Sequence, residues 1–216
     1  MVVMGAVARA MPPWPGRCRR GQGDAYAEYA DDRGGGGDTG GRVEGRDEEG
    51  ADAACDEAGD QDEAGVVIGR RCRHVAAEDA RSVIAGYLVA NDVSVRDWLA
   101  KRSPTFTLGK SFDTHGPIGP WLTTDDEIAD PHALRMRLSV NGEVRQDSST
   151  NDMIYDIYEQ IAYLSQVMTL MPGDILATGT PAGIGAPIGR FLRTGDVVRA
   201  EIEGLGMIEN HVVAAP

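Results

Sequence analysis

The chain has 216 residues, of which 42% are hydrophobic, and its formal net charge is -13. That length and that hydrophobic fraction suffice for one globular domain with its own core. The negative charge disfavours nucleic acids and anionic membrane surfaces as partners, because both are polyanions. No apolar run in the sequence reaches the ~20 residues that a membrane-spanning helix needs, so no membrane partner is expected.

The three cysteines, Cys18, Cys55 and Cys72, are scattered along the chain. An odd, widely spaced set does not make a disulfide framework, and no Cys-x-x-Cys pair indicates a zinc site. Reduced thiols are typical of cytosolic proteins, so the sequence predicts a cytoplasmic location.

The composition changes near residue 63. Residues 1–62 carry seven Lys and Arg against 14 Asp and Glu, so they hold -7 of the total charge. Residues 21–62 are rich in Gly, Asp, Glu and Ala and contain almost no Leu, Ile, Val or Phe. Such a stretch cannot bury enough apolar surface to offset its chain entropy. We therefore predict an atypical, disordered segment at 1–62 and a folded domain at 63–216.

The folded part has the pattern of a strand-rich protein. Short apolar runs between turn residues, and one alternating stretch closed by Asn141-Gly142, are typical of strands and of a tight hairpin. Strands are predicted at 66–68, 87–90, 134–140, 143–145, 175–177, 197–202 and 207–213.

One long helix is predicted where apolar residues recur at three- and four-residue steps, from Ile154 to Met168. Asn151 or Asp152 is a plausible cap at its start. Residues 77–84 indicate a second, short helix. Many strands, few helices and no alternation of strand and helix favour a β-rich α+β fold.

Three clusters could carry chemistry. Asp92 follows a buried strand, where a carboxylate suits a hard cation, and Arg96 could clamp a substrate carboxylate; a helix cap and a surface ion pair are the alternatives. Lys110 could supply positive charge to an enolate, or it could be an exposed loop lysine. The Gly-rich loop around Gly179 and Thr180 offers N–H groups and hydroxyls to an anion, or is simply a tight turn. It lacks the lysine of a nucleotide-binding loop.

Four segments, in this order, resemble signatures of the fumarylacetoacetate hydrolase family: GYLVANDVSVRDW, TLGKSFDTHGPIGPW, VNGEVRQDSSTNDMIY and LMPGDILATGTPAGIG. The resemblance runs from Glu63 to Val213 and is greatest to members named 2-hydroxyhepta-2,4-diene-1,7-dioate isomerase or acylpyruvate hydrolase. It implies the family's mixed β-roll with few helices, a homodimer, and Mg²⁺ or Mn²⁺ in the active site.

The resemblance also implies roles for individual residues. Asp92 matches a metal-binding aspartate and Lys110 the active-site lysine that faces the enolate. Arg96 and Thr180, with Gly179 beside it, match contacts to substrate carboxylates.

The chain departs from the family pattern at three places. The family has a metal-binding Glu-x-Glu pair, and here Glu63 matches the second glutamate while Gln61 stands at the first. Asp62 would have to turn to the other face of the strand to replace it. Leu99 stands where a substrate-binding glutamine is common.

The third departure lies upstream, because the family's water-activating His–Glu dyad has no counterpart: no histidine precedes His74. A frameshift before residue 63 would explain both this loss and the composition of residues 1–62.

Two functions remain open at this stage. The resemblance implies a metal-dependent hydrolase, isomerase or decarboxylase of a small 2-oxo or 2-hydroxydienoate diacid, of the kind found in aromatic-compound catabolism, working through a stabilised enolate. Hydrolysis also requires a base that activates water, so it is the activity most in doubt. The alternative is a catalytically impaired or non-catalytic protein of the same fold.

Overall fold

The computed structural model describes residues 58–99 and 105–214 with their side chains, and residues 43–45 as backbone. Strands dominate these ranges. They are β1 Val43–Gly45, β2 Ala58–Gly59, β3 Asp62–Ile68, β4 Ile84–Asn91, β5 Ser94–Val95, β6 Ile118–Thr124, β7 Arg135–Val140, β8 Glu143–Ser149, β9 Ile175–Ala177, β10 Val197–Ile202 and β11 Gly206–Ala214.

The helical elements are short. The α-helix α1 spans Ile157–Val167, and residues 96–99 form a helical turn. The 3-10 helices are Ala77–Val83, Leu108–Lys110, Asp125–Glu127, Thr150–Asp152 and Ala186–Ile188. None of the helices in the described ranges is long and apolar enough to cross a membrane.

Two larger sheets form the body of the fold. One has the order β1-β11-β10-β7-β8, and the other has the order β6-β4-β3-β9. Apart from the parallel pairing of β1 with β11, the neighbouring strands in both sheets are antiparallel. A small pair, β2 and β5, is a third sheet.

Strand β3 lies at the centre of the four-stranded sheet. It pairs with β4 on one side and with β9 on the other, and every one of its residues is buried. That position explains its continuous apolar run, because a strand covered on both faces has no solvent side to alternate with. The main core contains Val66 from this strand, Leu138 and Ile202 from the other sheet, and Ile161 from α1.

The β-rich α+β fold predicted from the sequence is confirmed, as are the seven predicted strands, although their ends move by a few residues. The hairpin at Asn141-Gly142 is present, with positive φ angles of 53° and 82°. The strand β6 was not predicted, because its sequence lacks a clear alternating pattern.

The predicted start of the long helix is wrong. Asp156 caps α1 by accepting a hydrogen bond from the Glu159 N–H, and the Glu159 side chain accepts one from the Asp156 N–H. This reciprocal capping box satisfies two backbone donors, which neither Asn151 nor Asp152 does. Ile154, predicted on the apolar face, lies before the helix and is 90% exposed.

The fold extends upstream of the predicted boundary at residue 63. Strand β3 begins at Asp62, and Ala58–Gly59 already pairs with β5. Within the segment predicted as disordered, Val43–Gly45 pairs with β11. The remainder of that prediction, for residues 1–42 and 46–57, falls outside the described residues.

Candidate active site

Two acidic residues come from the ends of neighbouring strands. Glu63 lies near the start of β3 opposite Ala90, and Asp92 directly follows β4. The Asp92 N–H donates to the Gln61 carbonyl oxygen at 2.9 Å, which fixes the chain where it leaves the strand. The antiparallel register therefore brings Glu63 and Asp92 to the same end of the sheet.

Successive side chains of a strand point to opposite faces of its sheet, so Glu63 and Asp62 of β3 are expected on opposite faces. Asp92 and Lys110 act on the pKa of the Glu63 carboxyl, whereas the charges that act on the pKa of Asp62 are those of Glu63 and, to a smaller extent, Glu201 on the other sheet. Burial, followed by the charge of Glu63, raises the pKa of Asp62 well above its usual range. That Asp62 does not replace the first glutamate of the family's pair stays a prediction.

Gln61 is buried beside the start of β3. Its side-chain N–H donates to Ser94 Oγ at 2.9 Å, and its backbone N–H donates to Asn91 Oδ1 at the same distance. An uncharged amide held this way ties β3 to the chain around Asp92. It is a weaker ligand for a hard cation than the glutamate that the family pattern has at this position.

Lys110 forms an ion pair with Asp92, and both side chains are largely buried. The lysine ends the short helix Leu108–Lys110. Gly109 allows this approach, because a Cβ there would lie 2.4 Å from Leu99 Cδ2. Leu99, where the family often has glutamine, thus packs against the glycine that precedes Lys110. The exposed-loop alternative for Lys110 does not describe this buried lysine.

Glu63 is almost completely buried, and its surroundings change its acidity. Burial, then the negative charge of Asp92, raises the pKa of Glu63 to about 7. The Gly179 N–H donates to Glu63 Oε2 at 2.9 Å, and it opposes that rise together with the charge of Lys110. Gly179, predicted to contact substrate, thus gives its N–H to Glu63 in this structure.

The loop after β9 is tied to several elements. Thr178 donates to the Ala64 carbonyl oxygen from its N–H at 3.2 Å and from its hydroxyl at 2.9 Å. Gln160 of α1 donates to the Thr178 carbonyl oxygen at 3.1 Å, and Gln146 of β8 donates to Thr180 Oγ1 at 2.8 Å. Thr180 is thereby held near the strand that carries Glu63.

Arg96 is close enough to Asp92 for the aspartate's charge to act on it. Burial lowers the pKa of its guanidinium, and the charge of Asp92 opposes that effect. Its Nε is buried and has no hydrogen-bond partner in the described part of the chain. A buried guanidinium with an unused donor suits recognition of an anionic group.

The acidic residues are of the chemical type that binds a hard divalent cation. Two buried carboxylates, Glu63 and Asp92, repel each other, and the single positive charge of Lys110 offsets only one of them. Oxygen ligands are what Mg²⁺ and Mn²⁺ prefer. Among residues 58–99 and 105–214, no group of three or more His, Cys, Asp and Glu side chains could hold a metal, so water or substrate would have to complete the shell of a cation held by these two carboxylates.

Known proteins resemble this chain in sequence and in fold. The family model described as the C-terminal part of fumarylacetoacetate (FAA) hydrolase matches residues 61–213. The chain belongs to the fumarylacetoacetate hydrolase family. The family resemblance drawn from the four sequence segments is therefore confirmed.

Relatives in this family carry several activities in their names. Oxaloacetate tautomerase Fahd2a, mitochondrial, from Rattus norvegicus is 50% identical over 155 residues, which cover 70% of this chain and 49% of that protein. The 2-hydroxyhepta-2,4-diene-1,7-dioate isomerase from Mycobacterium marinum is 39% identical with a TM-score of 0.70, covering 81% of this chain and 63% of that one.

A third relative was solved with ligands. Maleylpyruvate hydrolase from Sphingobium sp. SYK-6, in complex with manganese(II) and pyruvate, is 39% identical with a TM-score of 0.66, covering 74% of this chain and 56% of that one. The chain spans about half the length of the curated relatives it matches.

Sequence reasoning missed Gln146 and Gln160. Gln146 stands inside one of the four matching segments, and Gln160 lies on the polar side of α1. Glutamine at either place is ordinary by local pattern, and only the tertiary hydrogen bonds reveal what these two side chains hold.

Proposed function

We propose that this fumarylacetoacetate hydrolase family chain is a divalent-metal-dependent enzyme that stabilises the enolate of a small 2-oxo diacid. Keto–enol tautomerisation of the oxaloacetate type is the reaction we place first. The observation that carries the proposal is the buried pair of carboxylates, Glu63 and Asp92, with the Lys110 ammonium bonded to Asp92.

Glu63, Asp92 and Gln61 are the residues that would hold the metal. When bound, a divalent cation would supply Lewis-acid polarisation of the substrate's oxygens. Lys110 has three N–H donors, and its contact with Asp92 uses only one of them. The remaining donors can stabilise negative charge on an enolate oxygen, in a buried setting where such stabilisation is strongest.

The substrate class follows from Arg96 and Thr180. The half-buried guanidinium of Arg96, whose Nε has no hydrogen-bond partner among residues 58–99 and 105–214, suits one carboxylate of a diacid. The Thr180 hydroxyl, held on the opposite loop by Gln146, suits the other end. Holding both ends orients the substrate before reaction, which lowers the barrier by removing rotational freedom.

Tautomerisation is favoured over hydrolysis by the chemistry that each requires. Tautomerisation needs mainly enolate stabilisation, which the Lys110 ammonium beside Asp92 can supply, whereas hydrolysis also needs a base that activates water. A relative named as an oxaloacetate tautomerase is 50% identical over the matched region. Isomerase, decarboxylase and hydrolase activity on related 2-oxo or 2-hydroxydienoate diacids are the alternatives within the same enolate chemistry.

The test uses the full chain and measures the rate at which enol-oxaloacetate is converted to the keto form. Ultraviolet absorbance reports this rate. We expect turnover with Mg²⁺ or Mn²⁺ and its loss after chelation. Lys110→Met should lower kcat/KM by about 10²–10³, the usual cost of removing one stabilising donor. Arg193→Met, which removes an exposed cation, is the matched control and should leave the rate unchanged. Equal rates in Lys110→Met and in the parent chain would refute this assignment.

A non-catalytic role is the second candidate, and Gln61 is the observation that favours it. A neutral amide replaces a charged ligand of the family pattern, and a weakened metal site costs activity. Thermal unfolding with and without Mg²⁺ separates the two, because a ligand that binds only the folded state raises Tm. A rise in Tm without turnover on any tested diacid would favour this second function.

Assembly as a homodimer is part of the proposal. Trp121 on β6 is 51% exposed and Met207 on β11 is 43% exposed, and both lie near Gly206, so apolar surface from two strands adjoins. Sedimentation velocity should show a dimer that Trp121→Glu dissociates. The cytoplasmic location and the link to aromatic-compound catabolism stay predictions.

A further inference from the structure

Gln146 has three hydrogen bonds and is almost completely buried. It lies in β8 with 1% of its surface exposed. Its Oε1 accepts from the Asp62 N–H at 3.0 Å, while its Nε2 donates to Thr180 Oγ1 at 2.8 Å and to the Pro181 carbonyl oxygen at 3.0 Å. One side chain therefore joins three parts of the fold that are far apart in sequence.

The orientation of the Gln146 amide follows from its neighbours. A backbone N–H, that of Asp62, can only donate, so the group facing it must be the amide oxygen. A backbone carbonyl, that of Pro181, can only accept, so the group facing it must be the amide nitrogen. Both neighbours therefore require the same orientation. In a flipped amide, the nitrogen would face the Asp62 N–H and the oxygen would face the Pro181 carbonyl oxygen.

This orientation sets the direction of the hydrogen bond to Thr180. Because Gln146 donates to Thr180 Oγ1, the hydroxyl oxygen is an acceptor there, and its own hydrogen is left to be donated elsewhere. No acceptor for that hydrogen occurs in the described part of the chain. Thr180 is thus prepared to donate to an acceptor-only group, and a carboxylate is the commonest such group.

Gln146 also links Thr180 to Glu63. The Asp62 N–H that Gln146 accepts from belongs to the residue before Glu63, and Glu63 in turn accepts from Gly179, the residue before Thr180. These bonds form a closed circuit between β8, the start of β3 and the loop after β9. A closed circuit of hydrogen bonds in a dry interior resists rearrangement more than isolated bonds do.

We propose that Gln146 is a positioning residue that holds the Thr180 hydroxyl as a donor toward a substrate carboxylate. The proposal rests on the function proposed above, in which Thr180 contacts one end of a diacid. Gln146 acts through Thr180 and does not touch substrate, so its loss should weaken substrate binding more than it slows the chemical step.

The first experiment needs no substrate and measures amide hydrogen exchange in the full chain. Gln146→Met keeps the side-chain volume but loses the amide, and we expect exchange in residues 178–185 to become at least tenfold faster while α1 is unchanged. Gln166→Met, on the exposed side of α1, is the control and should leave that loop unchanged. Unchanged exchange at 178–185 in Gln146→Met would overturn the positioning role.

The second experiment separates KM from kcat with oxaloacetate. Loss of one hydrogen bond changes affinity by about tenfold, so Gln146→Met should raise KM by about that factor and change kcat by less than about threefold. Thr180→Val should give a similar rise, and the double variant should be no worse than either single one. Multiplicative effects in the double variant would show that the two residues act independently, which contradicts the proposal.

A further variant guards against misfolding. Gln146→Leu also lacks both donors and buries no charge, so it should reproduce the faster exchange at 178–185 and the raised KM. Thr180→Val removes the same Gln146–Thr180 hydrogen bond by changing its other partner. If the parent chain shows no turnover, the proposed function fails, whereas the exchange measurement still decides the role of Gln146.

Discussion

Two segments frame the candidate site, and they are held in different ways. The loop at 178–189 contains no ionisable side chain, and most of the bonds that fix it are neutral hydrogen bonds from β3, β8 and α1. The exception is the Gly179 N–H, which donates to the Glu63 carboxyl group. The segment at 105–117 is held by the ion pair of Lys110 with Asp92 and by the packing of Gly109 on Leu99. One side of the site depends on backbone geometry and the other depends on charge.

This difference determines which changes destabilise each segment. Apart from the Gly179 bond to Glu63, the hydrogen bonds of this loop tolerate changes of pH and salt, because neutral groups carry no net charge to titrate or screen. The loop does not tolerate a side chain where the backbone approaches closely. The charged segment has the opposite sensitivity, and the following changes test each half of the comparison.

Gly183→Ala should be the most damaging change. Gly183 has φ +113°, and a Cβ there would lie 2.1 Å from the Arg145 carbonyl oxygen. Backbone strain and overpacking together should lower the free energy of unfolding by about 4 kcal/mol. The measurement is urea denaturation.

The control for that variant lies in the same loop. Gly189 also has positive φ, +66°, but nothing lies within 4 Å of a Cβ there. Gly189→Ala should therefore cost only about 1–2 kcal/mol, from strain alone. Equal costs at the two positions would show that the close approach at Gly183 does not matter.

The charged segment should respond to acid through His115. Burial lowers the pKa of His115 to about 4 from an ordinary value of 6.5. Between those values the unfolded chain binds a proton that the folded chain does not, so stability is present above pH 6.5 and is lost as pH falls toward 4. The loss should reach roughly 2–3 kcal/mol at pH 4.

The comparison variant for this prediction is His115→Phe. It keeps an aromatic ring beside Phe112, whose ring centre is 5.0 Å away, but it cannot titrate. The free energy of unfolding is measured against pH for both proteins. Subtracting the curve of the variant from that of the parent chain removes the contribution of the carboxylates. A difference curve that stays flat between pH 6.5 and 4 would contradict the buried, neutral state of His115.

Gly109→Ala tests the packing beneath Lys110. A Cβ would lie 2.4 Å from Leu99 Cδ2 and 2.9 Å from the Val95 carbonyl oxygen. Overpacking of this kind costs about 2 kcal/mol, measurable by thermal unfolding. Adding Leu99→Ala should make the combined cost smaller than the sum of the single costs by about 1 kcal/mol. Simple additivity would show that the two side chains do not compete for space.

Gln160→Leu should have the smallest effect. It removes the hydrogen bonds that the Gln160 amide donates to the Thr178 and Tyr155 carbonyl oxygens but leaves the bonds from β3 in place. We expect a loss of about 1–2 kcal/mol, the usual net value of two such bonds. Urea denaturation measures it, and a loss above about 3 kcal/mol would mean that the helix, more than the strands, holds this loop.

Much of the fold could be predicted from the sequence, because β3 and β4 carry unbroken apolar runs and Asn141-Gly142 specifies its hairpin. The start of α1 could not, since Asn151, Asp152 and Asp156 are all plausible caps and only tertiary packing selects one. The proximity of Lys110, Asp92 and Glu63 was implied by motif order alone. Gln146 could not be found, because its partners lie 34 and 84 residues away.

Strand β3 joins the candidate site to the centre of the molecule. Glu63 and Ala64 hold the loop after β9, and the same strand is paired along both edges and buried throughout. Freeing this half of the site means pulling a central strand out of its sheet, so the local opening energy approaches that of global unfolding. A partly denatured sample should thus be a mixture of fully formed and wholly unfolded chains, with no population of loosened sites.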